Sequence, residues 1–141
     1  MSFPEAVMSG IYTFTIKGRC PTKGSTKSFI DPHSGKVVTK ADCVGLKQWT
    51  RDAKWQARAA KVPMIYKPHG VSLDVRVEFI KPKSAKQLTP SVRPDLDKLL
   101  RAVLDALTNV AYQDDSQVVS VTTVKAYGPS EQVIVSIARA A

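Results

Sequence analysis

Cysteine is nearly absent from this chain. Cys20 and Cys43 are the two it has, and they do not sit in a C-x-x-C spacing. That excludes a disulfide-stapled scaffold and a cysteine-based metal knuckle, and it leaves two reduced thiols of a cytoplasmic protein as the expectation. Histidine is as scarce. His33 and His69 each follow a proline in a turn-like setting, and two imidazoles without further ligands do not make a zinc centre. No run approaches the ~18 consecutive apolar residues of a membrane span, so no membrane partner is expected. Met1 to Gly10 lacks both the basic stretch and the apolar core of a secretory leader. It is read as a flexible tail, residues 1–10, ahead of a single domain over residues 11–141.

Acidic residues are also few, twelve against 21 Lys and Arg, for a net charge of +9. Such a balance favours a polyanionic partner, because cationic side chains bind phosphates and release counterions. The charge is unevenly spread. Lys17 to Lys61 holds eleven basic residues and three acidic ones, whereas Asp95 to Asp115 holds five acidic and two basic. A basic protein that gathers its acids into one stretch is using them for something.

Ile11 to Lys17 alternates apolar and polar residues, as a half-buried strand does. The polar segment from Gly18 to Lys40 contains Phe29-Ile30 and Val37-Val38 around Asp31–Gly35, which reads as a small hairpin. A helix is predicted from about Lys40 to Lys61, N-capped by Thr39 with Asp42 three residues on, and ended by Pro63. Val71 to Ile80 is the clearest strand, with Val71, Leu73, Val75, Val77 and Phe79 on one face. Leu96, Leu99, Leu100, Val103, Leu104 and Leu107 form the stripe of a core-facing helix from Asp95 to about Thr108. Gln117–Lys125 and Gln132–Ala138 read as two strands joined by a turn at Gly128-Pro129-Ser130. The order predicts an α+β domain with a small, largely antiparallel or mixed sheet and two main helices.

Asp95 and Asp97 open the second helix; Asp114 and Asp115 open the strand after it. The two pairs meet only if the connection folds back, since a helix of this length spans roughly 20 Å. Clustered carboxylates repel, and a hard divalent cation reverses the sign of that energy. One or two such ions activate water and stabilise the leaving oxygen in phosphodiester hydrolysis. Plainer readings exist beside this one. Acids in a first helical turn oppose the dipole without any metal, Asp97–Arg101–Asp105 is an i, i+4, i+8 surface ladder, and Asp114-Asp115-Ser116 forms a turn.

The run from Arg93 through Asp95-Leu-Asp97-Lys98-Leu-Leu-Arg101, then Asp105-Ala-Leu and Asp114-Asp115-Ser-Gln-Val-Val119, resembles the signature of the RusA family of Holliday-junction resolvases. The upstream Phe14–Gly24 stretch and the later Val124-Lys125-Ala-Tyr-Gly128 are similar to that family's opening strand with its basic loop and to its strand after the acidic pair. The resemblance implies a homodimer that resolves four-way DNA junctions by paired symmetric nicks in recombination and repair, using Mg2+, with Mn2+ as a substitute, and no small-molecule cofactor. The implied metal ligands are Asp95, Asp97 and Asp115, with Asp114 adjacent. Two positions depart from the family pattern: its asparagine is Lys98 here and its lysine is Arg101. Arginine does not lose its proton, so Arg101 serves as a phosphate clamp and not as a base, with Lys98 assisting or replacing it.

DNA contacts are expected from Lys17, Arg19, Lys23 and Lys27 on the basic loop, from Lys54 and Arg58 among the cations of the first helix, and from Arg93. Trp49 reads as core, while Trp55 or Tyr66 is free to stack on an opened junction. The hairpin expected over Val118 to Val135 offers an edge for pairing across a two-fold axis. Two other readings stand beside the resolvase: a DNA-binding module without catalysis, and a metal-dependent nuclease acting on forks, flaps or RNA.

Overall fold

The computed structural model describes residues 10–24, 26–41 and 45–141, and at 26, 27 and 38–41 the backbone only. The chain runs through β1 (Tyr12–Lys17), a hairpin of β2 (Thr26–Ile30) and β3 (Val37–Ala41), helix α1 (Leu46–Ala59) and β4 (Val71–Phe79). Helix α2 (Leu96–Leu107), a 3-10 turn (Asp115–Gln117), β5 (Val118–Tyr127) and β6 (Gln132–Arg139) complete it. The expected α+β fold with two main helices is present, and its main sheet is mixed. Strand order is β1-β6-β4-β5, with β2-β3 as a separate two-stranded sheet.

β4 is the centre of the main sheet. It pairs antiparallel with β6 and parallel with β5, and a parallel neighbour needs a crossover connection, which α2 supplies. The alternation read in β4 sends Val71, Leu73, Val75, Val77 and Phe79 into the core. Both helices lie on that face. α1 contributes Trp49, Ala53 and Ala57, and α2 contributes Leu99, Ala102, Val103, Ala106 and Leu107. The other face, with exposed Thr13, Asp74, Arg76 and Thr122, carries no helix among the described residues. Trp49 is core as expected, whereas Trp55 is 68% exposed.

Two expectations are corrected. The first helix starts at Leu46, not near Lys40. Thr39 belongs to β3, where it pairs with Ser28, and the left-handed Gly45 (φ 82°) stands at the helix N-cap. Strand pairing with β2 has claimed the residues that local capping signals assigned to the helix; Asp42 lies outside the described residues. The second correction concerns β5 and β6, which do not pair with each other, because β4 lies between them. The 128–131 connection crosses the C-terminal end of β4, where the Gly128 N–H donates to the Phe79 carbonyl at 2.9 Å. Neighbouring strands lie about 4.8 Å apart, so four residues reach across one intervening strand as readily as they turn a hairpin.

The crossing rests on Glu78. Its Oε2 accepts from Arg76 Nε and its Oε1 from Gln132 Nε2, both at 2.8 Å. A Cβ on Gly128 would stand 2.6 Å from the Glu78 carboxyl carbon, so a larger residue there would have to push the carboxylate off its two partners. The Arg76 bond first, then that of Gln132, holds the Glu78 carboxyl below the usual range against the opposing effect of burial. The stability it contributes is therefore full above the ordinary glutamate value of 4.5 and is lost as the pH falls through its lower folded value. Melting temperatures measured from about pH 6 down to about pH 3 should fall more steeply for wild type than for Glu78→Gln. Parallel curves would remove Glu78 from the acid response.

Candidate active site

The sequence places acids at both ends of α2, and the fold positions each end by a separate device. At the start of the helix, Lys125 reaches from β5 and donates to the carbonyls of Val92 (2.7 Å) and Pro94 (2.9 Å). That fixes the segment leading into Asp95. Asp95 occupies the N-cap position but makes no side-chain cap, and its Oδ2 lies 3.8 Å from Lys98 Nζ. Asp97 follows in the first turn and is exposed. Arg101, one turn on, is exposed and makes no ion pair or hydrogen bond with a described side chain.

At the other end, the 3-10 turn that carries Asp115 is fixed by Gln117. This buried amide uses its whole hydrogen-bonding capacity on main-chain groups. Oε1 accepts from the N–H groups of Gln113 (2.8 Å) and Asp114 (3.0 Å), and Nε2 donates to the carbonyls of Ile65 (3.1 Å) and His69 (3.0 Å). Sequence reading passed over Gln117 as the start of a strand. Its signal was a polar residue between an acidic pair and a run of valines.

The adjacent acids Asp114 and Asp115 diverge in role. Asp114 caps the turn, accepting from Ser116 N–H at 2.9 Å, and lies 3.7 Å from Lys67. The Ser116 amide above all, then the Ser116 hydroxyl, and Lys67 as well, hold its carboxyl below the usual range. Asp115 lines a cavity of about 340 Å³ with Arg101, Leu104, Asp105, Lys23 and Gly24. Behind it Tyr112 is fully buried and donates to the Leu104 carbonyl at 2.6 Å. Burial first, and the nearby Asp115 and Asp105 charges, push its phenol well above the usual range, so Tyr112 stays a neutral donor.

The basic loop closes this cavity. Lys23 N–H donates to the Lys98 carbonyl at 3.0 Å, which docks the loop on α2. A Cβ on Gly24 (φ 103°) would meet Arg101 Nη1 at 2.6 Å, so the glycine gives the guanidinium its room. Lys23 Nζ pairs with Asp105 at 2.8 Å, a role for Asp105 beyond the helix-surface ladder.

The structure thus brings Asp115, Arg101 and Lys23 together. Asp115 sits against the turn of α2 bearing Arg101 to Asp105, one to two turns beyond Asp95 and Asp97. Among the described residues no three Asp, Glu, His or Cys side chains converge as a ready metal cage. The donors are hard carboxylates without thiolate or imidazole, which suits magnesium or manganese. They fit an ion held by a few carboxylates, with water and substrate phosphate supplying the rest, and they do not fit a closed all-protein site.

The other cations are spread out. Lys54 gives its ammonium to the C-terminal carbonyls of α2, at Asp105 (3.4 Å), Ala106 (3.0 Å) and Thr108 (2.6 Å). Desolvation there lowers its pKa. A phosphate contact of the kind expected of it would draw on an ammonium already engaged by these three carbonyls. Arg19 pairs with Glu131 at 2.6 Å and lies over the Phe79 ring, 4.9 Å from its centroid. Lys17 alternates with Thr13 and Thr15, away from the buried Phe14 and Ile16, and so points off the helix-free face. Arg58 and Arg93 are exposed, and the Lys27 side chain lies outside those described.

A cleft that sets carboxylates beside a guanidinium with no partner among the described side chains, on a basic protein, belongs to the class of proteins that work on the phosphodiester backbone. The family model described as Endodeoxyribonuclease RusA matches residues 21–138, and the chain belongs to that family. Members of this family are endonucleases of Holliday-junction resolution, recombination and repair, and they depend in general on divalent metal. The chain is also similar to the Bacillus subtilis (strain 168) protein named "Uncharacterized protein YqaN", 37% identical over 79 residues. That match covers 48% of this chain and 56% of the relative's length. No helix among the described residues is long and apolar enough to cross a membrane.

Replacing Gln117 by alanine takes this partner from four main-chain groups, one in a buried bond and three in partly buried ones, at ~1–3 kcal/mol for each that water does not reach. Gln117→Ala should lower the melting temperature by roughly 10 °C and cut nuclease activity even well below the melt. An unchanged thermal scan would show that the turn holds itself.

Proposed function

We propose that this protein is a magnesium-dependent endonuclease that resolves four-way DNA junctions as a homodimer, by paired symmetric nicks, in the cytoplasm where the DNA is. The observation that carries the reading is Arg101, an arginine with no described side-chain partner, in the same cavity as Asp115. Asp95, Asp97 and Asp115 would hold the metal, with Asp114 retained as the cap of the 3-10 turn. When bound, the ion lowers the pKa of an attacking water and stabilises the leaving oxygen. Arg101 holds the non-bridging oxygens of the scissile phosphate and neutralises charge as it develops, and Lys98 keeps a second cation beside Asp95.

Dimerisation is assigned to the free edge of β5. This ten-residue strand ends the sheet, has no proline, and turns its one charge, Lys125, inward onto carbonyls. An edge so poorly guarded favours pairing with another strand. A second copy also supplies the two equivalent sites that a two-fold junction needs. Sedimentation equilibrium at micromolar concentration should report a dimer; a monomer throughout would rule this edge out as a stable interface.

Synthetic four-way junctions should be cut into symmetric nicked duplexes with magnesium or manganese, while linear duplex and forks are spared. Asp95→Asn should abolish cutting and weaken manganese binding. In single-turnover cleavage, Arg101→Ala should be about 10²- to 10³-fold slower and Lys98→Ala slowed less. If both variants keep the wild-type rate, the roles given to these cations are wrong. A DNA-binding module without catalysis is favoured by one observation, the lack of three converging carboxylates among the described residues. Junction binding with neither manganese binding nor cleavage would select it.

A further inference from the structure

Two open cavities flank α2 and share the same two residues, Lys23 and Asp105. One is the Asp115–Arg101 cavity. The other is a groove of about 410 Å³ between α1 and α2, lined also by Leu46, Lys47, Thr50, Arg51 and Lys54. The ion pair between Lys23 and Asp105, 2.8 Å long and roughly half exposed on both sides, stands where the two cavities meet. Lys54 has turned its ammonium onto the α2 carbonyls, so it seals the end of that helix and offers the groove little free charge. Lys47 and Arg51 are different. They are exposed and have no ion pair or hydrogen bond with a described side chain. They are four residues apart, which places them on one face and about 6 Å apart along the axis, on the scale of successive phosphates in a strand. The Thr50 side chain adds a hydroxyl to the same wall.

We propose that the α1–α2 groove is a second phosphate subsite, in which Lys47 and Arg51 hold the backbone of the strand whose neighbouring phosphate lies at Arg101, and that the Lys23–Asp105 pair is the bar this strand displaces. The proposal rests on the nuclease reading for the direction of the strand, but its binding chemistry stands apart from cleavage. A nucleic-acid phosphodiester takes the place of the Asp105 carboxylate on Lys23. Exposed ion pairs are weak and salt-screened, so the exchange is easy, and it leaves Asp105 facing the strand as a like charge. Asp105 therefore opposes binding, while Lys47 and Arg51 promote it.

The test is fluorescence anisotropy of a labelled four-way junction, with calcium in place of magnesium, over a series of salt concentrations. The Lys47→Ala/Arg51→Ala double variant should bind at least tenfold more weakly, and its slope of log affinity against log salt should drop by about two phosphates' worth, close to 1.8. Lys81→Ala/Lys83→Ala removes the same charge from the loop after β4 and should change the slope by less than half as much. Asp105→Asn should bind at least threefold more tightly than Asp52→Asn, which makes the same charge change on the outer side of α1. Circular dichroism checks the fold of each variant. If the double variant does not fold, the single Lys47→Gln should lower the slope by about 0.9, half the drop expected of the pair. Equal slopes for the two double variants, or equal affinities for the two Asp→Asn variants, would overturn the subsite. Wild type that binds in this pattern but cuts no branched DNA would defeat the nuclease reading and leave the subsite standing. Normal cutting without the pattern would do the reverse.

Discussion

One neutral amide holds the acidic end of this cleft in place. Gln117 bonds four main-chain groups from two segments nearly fifty residues apart in sequence, 65–69 and 113–114. The 3-10 turn bearing Asp115 is three residues long, and apart from the Asp114 cap and one main-chain bond it is this amide that ties it to the rest of the fold. A charged residue in this role would titrate and would have to be neutralised in a buried site. Glutamine fills it without altering the field in which Asp115 and Arg101 meet. Lys125 serves the opposite end of α2 in a similar way, bonding carbonyls ahead of Asp95. Both side chains bond the backbone and draw on none of the side chains of the cleft.

What the sequence disclosed and what it concealed divide along physical lines. β4 and α2 were legible because burial on one face writes a period of two or of 3.6 into the residues; β4 buries every apolar position that the pattern named, and α2 buries Leu99, Val103 and Leu107, half-buries Leu100 and Leu104, and leaves Leu96 at the exposed end of the stripe. The β2–β3 hairpin was legible from its turn chemistry. The start of α1 was not, since Thr39 looks like a cap until Ser28 is known to lie across from it. Nor was the separation of β5 from β6, because a four-residue connection carries no record of whether a strand lies beneath it.

In the cleft, residue types were legible and allegiances were not. The aspartates stood out by their density, and family resemblance gave them an order. Adjacent Asp114 and Asp115 are equivalent in composition, yet one closes a turn while the other faces solvent in a cavity. Lys54 has the spacing of a phosphate ligand and is a helix cap. Asp105 has the spacing of a surface ladder and instead pairs with the basic loop. Each of these depends on a partner at least thirty residues away or on a main-chain direction, and neither is written in local spacing.

The tie between the helices is lopsided in what it asks of the chain. Lys54 holds α2 through carbonyl oxygens at positions 105, 106 and 108, and every amino acid brings a carbonyl. The bonds do not depend on which side chains stand at 105 and 108, and at 106 it is the core and not the joint that keeps Ala106 small, whereas no residue but a long cation at position 54 can make them. The exposed face of α2 can therefore diversify while the joint beneath it is inherited through a single codon on α1.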